Sequence, residues 1–223
     1  MKLELASAKA IRFACLNFHY AKRLPAQPMV GWSVFNDAGE WCGCVVFNNG
    51  IMGIEKPFRL AHGQVSELIR VALNGKQQET SRCVSLALKM FKKHCPLVKI
   101  VVSYADSDYS HFGTIYQATN FVYLGGVKTS DQYICPKTGK SLHSRGHSAS
   151  GVRKQFGAYK KVPKTETLIR IKKGIKHKYA IGLTKTEREQ LEKIGKPYPK
   201  KCVQSIDGDV PDNQLGEGGS TPT

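Results

Sequence analysis

Apolar positions along this chain fall into two rhythms, and the switches between them mark its elements. Ile11, Ala14, Cys15 and Phe18 sit at i, i+3, i+4 and i+7, one face of a helix that Ser7 can cap. The N-terminal stretch reads as an amphipathic helix rather than a signal peptide, because Glu4 and Arg12 break any apolar run. His19 and Tyr20 fall where that helix ends, and Pro25 and Pro28 mark a loop. Residues 32–35 and 41–47 read as two strands joined by the turn Asn36-Asp37-Ala38-Gly39. Asn48-Asn49-Gly50 is a second turn, a third strand is expected at 58–62, and residues 66–73 predict a central strand. Val84, Ala87, Leu88 and Phe91 return to helical spacing over 81–93, with Ser81 as N-cap and Pro96 as stop. A strand at 98–104, a polar turn, a short helix at 113–119 that stops at Asn120, and a strand from Phe121 follow. This order predicts an α/β fold, one mixed sheet with flanking helices and a crossover helix.

Past Gly126 the pattern weakens. Residues 128–161 are rich in Lys, Gly, Ser and His, with few apolar positions. Residues 167–171 and 178–183 read as a hairpin. Thr184 and Glu187 read as the capping box of a short helix ending at Ile194, with Gly195 and Pro197 as its stop. The expected organisation is a catalytic core at 1–127, a basic extension at 128–203 packed on it, and a disordered acidic tail at 204–223.

Charge sharpens this division. The net formal charge is +17 over 223 residues. Residues 1–127 carry 14 Lys and Arg against 8 Asp and Glu, residues 128–201 carry 20 against 5, and the last 22 carry four acids and no base. A basic segment of that density is suited to a polyanion, most simply nucleic acid. Arg145, Arg153, Lys154, Lys172, Lys173 and Lys176 are its candidate contacts, interleaved with Phe156, Tyr159 and Tyr179. No run of 18 apolar residues is present, so no membrane-spanning helix is expected. Seven cysteines without regular spacing suit a reducing compartment, and Cys42 and Cys44 fit a buried strand better than a zinc knuckle.

The candidate chemistry gathers at predicted strand ends. Asp106 closes the strand before the polar turn, where open α/β sheets place ligands, and is a candidate base. Glu67 is a candidate base or ligand, or else a solvated strand-edge residue. Arg70 can clamp a phosphate or carboxylate bidentately, or form a structural salt bridge. Tyr104, Tyr116 and Tyr123 can stack a flipped base. His19 and Asp106, with His111 or Glu67, could instead ligate a metal.

The stretch Ser103 to Gly126, SYADSDYSHFGTIYQATNFVYLGG, resembles the second half of the Gcn5-related N-acetyltransferase fold. That resemblance implies a base on the fourth strand, here Glu67, a tyrosine acid one turn into the short helix at 113–119, here Tyr116 with core packing as the equal alternative, and a cofactor pyrophosphate held by amides at a helix start, here near Thr80 and Ser81. Asn74 to Thr80 has one glycine where that fold commonly has two closely spaced ones. A second resemblance runs through His19-Tyr20, Glu67-Leu68-Ile69-Arg70, Ser81, Ser103-Tyr104-Ala105-Asp106, His111 to Ala118 and Pro197-Tyr198-Pro199-Lys200. In that order these pieces resemble the Mom family of phage DNA-modification proteins. The resemblance implies conversion of adenine in DNA to N6-(carbamoylmethyl)adenine, double-stranded DNA as partner, protection against restriction, action in the host cytoplasm, and iron as a candidate metal at His19 and Asp106. It adds Tyr20, Ser103 and His111 to Arg70, Thr80 and Ser81 as candidate substrate or donor contacts.

The donor is open at this point. The altered pyrophosphate loop favours glycyl-tRNA, or another glycine-derived donor, over acetyl-coenzyme A, which would make tRNA a second partner. Two alternatives stand beside the main reading. One is an acetyl-coenzyme A-dependent N-acetyltransferase acting on a protein or RNA amine. The other is a non-catalytic nucleic-acid-binding protein on an enzyme fold.

Overall fold

The structure, a computed structural model, describes residues 1–25, 29–142, 146–155 and 157–199. Strand β1 (Lys2–Leu5) leads into helix α1 (Ala8–Asn17), whose N-cap Ser7 accepts a hydrogen bond from the Ala10 amide. Strands β2 (Met29–Phe35), β3 (Trp41–Asn48) and β4 (Val65–Leu73) follow, then helix α2 (Thr80–His94) and β5 (Ile100–Asp106). Helix α3 is a single turn (Thr114–Gln117) before β6 (Val122–Lys128). Small strands β7 (Gln132–Ile134), β8 (Ser141–Leu142), β9 (Val152–Gln155), β10 (Ala158–Lys161) and β11 (Ile169–Ile171) precede β12 (Ile175–Gly182) and helix α4 (Lys185–Ile194).

One seven-stranded sheet has the order β1-β2-β3-β4-β5-β12-β6. Its β4–β5 pair is parallel and its other neighbours are antiparallel. Trp32, Val45, Phe47 and Leu68 pack on Val84, Leu88 and Phe91 of α2, with the Phe47 and Phe91 rings stacked at 4.3 Å. On the opposite face Ile11, Ala14 and Cys15 of α1 cover Cys44, Val46 and Ala72. Truncating a buried ring such as Phe91 to alanine should cost about 3–5 kcal/mol.

Several expectations need correction. The first residues are not helical: Leu3 and Leu5 alternate along an edge strand paired with β2. No strand forms at 58–62, where a 3₁₀ turn (Lys56–Phe58) holds Pro57 in its middle and is closed by Arg59 with φ +54. Proline lacks the amide a ladder needs, and a left-handed residue breaks it. Helix α2 is capped at Glu79, not Ser81. Thr184 is the N-cap of α4, but its side chain makes no capping bond, and Glu187 is buried beside Lys99 at 4.0 Å.

The largest difference concerns the boundary drawn at residue 127. The expected hairpin of 167–171 with 178–183 does not form. Instead β11 pairs with β7, and β12 inserts between β5 and β6 in the main sheet. Tyr179 and Ala180 are fully buried there, so the core sheet is completed by the C-terminal part of the chain. Arg145, Phe156, Lys200 and the acidic tail at 204–223 lie outside the described residues.

Candidate active site

The parallel pair at the centre of the sheet is short. Strand β4 meets β5 only through Val65, Ser66 and Glu67, opposite Ile100, Val101 and Val102. Beyond that point Ser103 Oγ donates to the Leu68 carbonyl at 2.8 Å, and the strands part. A register shift on the β3 side contributes. Leu68 faces Phe47 and Arg70 faces Val46, so Ile69 is an extra residue, a β-bulge. In an unbroken strand residues 67 and 70 would point to opposite faces. The bulge turns Arg70 to the α1 side of the sheet, the side of Glu67.

The parting opens a cleft of about 600 Å³ through the sheet. His19, Tyr20, Glu67, Arg70, Thr80, Tyr104, Asp106, His111, Tyr116 and Lys176 line it. Of the expected site residues, Ser103 is fully buried and acts as the bridge between β4 and β5. Ser81 is not among the lining residues, although Thr80 is. Tyr123 lies away from the cleft, with its hydroxyl 3.0 Å from His177 Nδ1. Lys176, expected in the nucleic-acid grip, stands opposite Asp106 in the β5–β12 ladder, its Nζ 3.9 Å from the carboxylate. Lys173 pairs with Asp108 at 3.1 Å, Arg153 donates to the His147 carbonyl at 3.3 Å, and Lys154 and Lys172 are exposed.

Burial sets the electrostatics. Glu67 is 8% exposed, and desolvation lifts its pKa to about 7, held back by Lys176 and Arg70. That value is near neutrality, where a general base works best. Arg70 donates from Nη1 to the Ile69 carbonyl at 2.7 Å, while its buried Nε has no partner in the structure. A buried guanidinium donor without a partner is costly, and a ligand oxygen arriving in the cleft would satisfy it. Burial and the Arg70 charge push His19 down to about 4, so its ring is neutral at pH 7. Tyr104 and Tyr116 are raised to about 12, chiefly by burial, and both stay protonated and able to donate. Asp106 accepts the Asp108 amide at 3.1 Å and caps the turn that carries Tyr109.

An aromatic cup at the cleft mouth was not anticipated. Tyr20 and Tyr109 are about half exposed with ring centroids 4.4 Å apart, and His111 stands edge-on to Tyr20 at 5.1 Å. The signal for Tyr109 was an aromatic residue inside the polar turn that ends β5. The loop is pinned from below: Gln117 Nε2 donates to the Phe112 carbonyl at 3.1 Å, and the Tyr179 hydroxyl donates to the same oxygen. Gly113 has φ +76, and a Cβ there would meet the Tyr179 ring at 2.3 Å, so only glycine fits.

Two implied groups can be tested against these residues. Among the described residues no three His, Cys, Asp or Glu side chains gather as a metal centre. His19 Nδ1 already accepts the Ala21 amide at 3.1 Å. Among the described residues this donor set does not fit a resident iron. In the loop before α2 the Gly75 and Lys76 amides are taken by Gln77 Oε1 at 3.0 Å and Asn74 Oδ1 at 2.9 Å. A pyrophosphate would be left with the amides at the start of α2, near Thr80 and Ser81, rather than those of the loop before it.

A mixed sheet with one parted parallel pair, a bulged β4 and polar groups in the gap defines an acyltransferase-like α/β protein. The Mom protein family profile matches residues 3–200, and the chain belongs to that family. It is similar to the methylcarbamoylase Mom of Escherichia phage Mu, 31% identical over 123 residues. That alignment covers 54% of this chain and 49% of the relative, so the chain spans about half the length of the relative it matches. Among solved structures it is similar to a variant of the spermidine N-acetyltransferase SpeG of Vibrio cholerae, with a TM-score of 0.47, 9% identity, and 85% and 99% of the two chains covered. A second structure of that enzyme gives 0.45, 12%, 84% and 95%. No helix among the described residues is long and apolar enough to cross a membrane.

Proposed function

We propose that this chain is a phage DNA-modification enzyme that converts adenine in double-stranded DNA to N6-(carbamoylmethyl)adenine in the host cytoplasm. The observation that carries the reading is the buried Glu67, with its pKa near 7, facing Arg70 and Lys176 where β4 and β5 part. Membership of the Mom family supports the class of reaction.

The adenine amine is a poor nucleophile because its lone pair is delocalised into the ring. A flipped adenine would stack on Tyr20 and Tyr109 and present N6 to the cleft. Glu67 takes a proton from N6 as the nitrogen attacks an activated glycyl ester. The N6–carbonyl bond forms, Arg70 stabilises the oxyanion, and Tyr116 protonates the leaving alcohol as the carbon–oxygen bond breaks. The glycyl amide then isomerises. Its free amine attacks C6 through a five-membered spiro ring, and the C6–N6 bond breaks. N6 picks up a proton and becomes the carboxamide nitrogen, and the glycyl nitrogen stays on C6.

A glycyl ester such as glycyl-tRNA fits better than acetyl-coenzyme A, because the loop before α2 has one glycine in place of two and its Gly75 and Lys76 amides are already bonded. Nucleosides digested from the DNA of a bacterial host expressing the chain test the reading by mass. Addition of C2H3NO, about 57 Da, to deoxyadenosine is expected from this general-base transfer. Unmodified deoxyadenosine alongside soluble, folded protein would overturn it and leave the N-acetyltransferase and binding-protein readings. Growth on nitrogen-labelled glycine tests the rearrangement, since the label should remain on C6.

A further inference from the structure

The hairpin of β9 and β10 stands apart from everything the cleft explains. Its strands pair through Val152–Lys161, Arg153–Lys160, Lys154–Tyr159 and Gln155–Ala158. They form a sheet of their own, separate from the seven-stranded one. All four residues of β10 are exposed, and Tyr159 is 76% exposed. Between Asp131 and Glu166 the sequence holds eight Lys and Arg and no acid.

Alternation divides the ribbon into two faces. One carries Arg153, whose guanidinium donates to the His147 carbonyl and ties the ribbon to its base. The base is tied again by His147 Nδ1 and Thr165 Oγ1 at 2.8 Å, and by Ser148 Oγ donating to the Val152 carbonyl at 2.9 Å. The other face carries Val152, Lys154, Tyr159 and Lys161, and it is open to solvent apart from Lys154 Nζ lying 5.9 Å over the Tyr159 ring. An exposed aromatic and aliphatic pair flanked by lysines, on a two-stranded ribbon outside the main sheet, is an unusual surface to leave in water. A partner with an anionic rim and a partly apolar floor matches it. The major groove of B-form DNA has that chemistry: phosphates along both edges, thymine methyls and base edges beneath, and a width of about 12 Å that admits a two-stranded β-ribbon.

We infer that β9 and β10 form a DNA-reading ribbon that enters the major groove of double-stranded DNA, with Val152 and Tyr159 on the base edges and Lys154 and Lys161 on the phosphates. This deepens the proposed function by naming how the duplex is held. The major groove of A-form RNA is too deep and narrow to be read in this way, so duplex RNA is the discriminating competitor.

The test uses the full chain and its Lys154→Ala/Lys161→Ala and Tyr159→Ala variants on a mixed-sequence DNA duplex. Bound native protein should protect guanine N7, a major-groove atom, from dimethyl sulfate, and Tyr159→Ala should lose that protection. The double lysine variant should flatten the slope of log affinity against log salt by about 2, one unit for each phosphate contact removed. Circular dichroism melts should match the native chain, because these side chains support no core. Protection confined to adenine N3 in the minor groove, equal affinity for duplex RNA, or variants that bind like the native chain would overturn the inference. Failure of the proposed chemistry reads differently: N7 protection would persist while no modified adenine appeared in any host.

Discussion

Around Glu67 and Arg70 the charges are few and buried or half-buried; along β9 and β10 they are many, mostly exposed and spread over a ribbon outside the main sheet. The contrast separates two uses of charge. A buried carboxylate has its affinity for protons altered and can take part in bond making. An exposed lysine keeps its water and acts through long-range, salt-screened attraction. Substitutions at Glu67 and Arg70 should therefore change turnover and leave DNA affinity alone, and substitutions on the ribbon should do the reverse.

The comparison is broken most severely at Arg70. Arg70→Ala removes the guanidinium that faces Glu67 and should lower product formation about 100-fold, near 2.7 kcal/mol in transition-state terms, with unchanged DNA affinity. Product per cell measured by nucleoside mass spectrometry, and affinity by titration, would check both halves. Equal loss of both would merge the two regions.

The pH dependence of stability sharpens the same point. Glu67 has a folded pKa of about 7 against an ordinary value of 4.5. Its contribution is fully present below pH 4.5 and is lost as pH rises through 7. His19 has the opposite sign: with a folded pKa of about 4 against 6.5, its contribution is present above 6.5 and lost as pH falls through 4. Urea unfolding of the native chain and of Glu67→Gln should show the native chain losing on the order of 1–3 kcal/mol relative to the variant between about pH 5 and pH 8. A constant difference across that range would remove the buried-base account.

At Gly113 the support of the cleft is probed. Gly113→Ala must hold φ +76 and displace the Tyr179 ring, so it should cost about 1–3 kcal/mol and lower the melting temperature and turnover together. A full melting temperature with reduced turnover would mean that the loop moves without strain. The smallest effect is expected at the cup. Tyr109→Ala should raise the DNA concentration needed for half-maximal product a few-fold, in line with about 1 kcal/mol of lost stacking, and leave the maximal rate unchanged.

The sequence disclosed what local periodicity encodes. The α1 face at Ile11, Ala14 and Cys15, the β2–β3 hairpin, β4, and the α2 face at Val84 and Phe91 were all legible, since each buries a stripe fixed by spacing. Cys42 and Cys44 are buried free thiols in β3, as expected. Features set by distant partners were hidden. Lys176 lies 70 residues from Asp106, so its basic neighbours made it look like surface when it belongs to the cleft. Strand β12 had the wrong partner for the same reason. The bulge at Ile69 leaves no mark in SELIRVAL, yet it brings Glu67 and Arg70 to one face. The structure brings Tyr20, Glu67, Arg70, Tyr104, Asp106, His111 and Tyr116, all within the family motifs, to the lining of one cleft. Ser103, a candidate contact only through the family motif, is fully buried and closes the gap between two strands, a partnership with Leu68 that local sequence does not encode.

The most direct measurement is the nucleoside mass profile of DNA from hosts expressing the native chain beside hosts expressing Glu67→Gln at equal soluble level. The account predicts the carbamoylmethylated deoxyadenosine from the native chain and a loss of about 100-fold or more from the amide variant, which keeps the shape of Glu67 and removes its base. Equal product from both would contradict it and place the chemistry elsewhere than where β4 and β5 part.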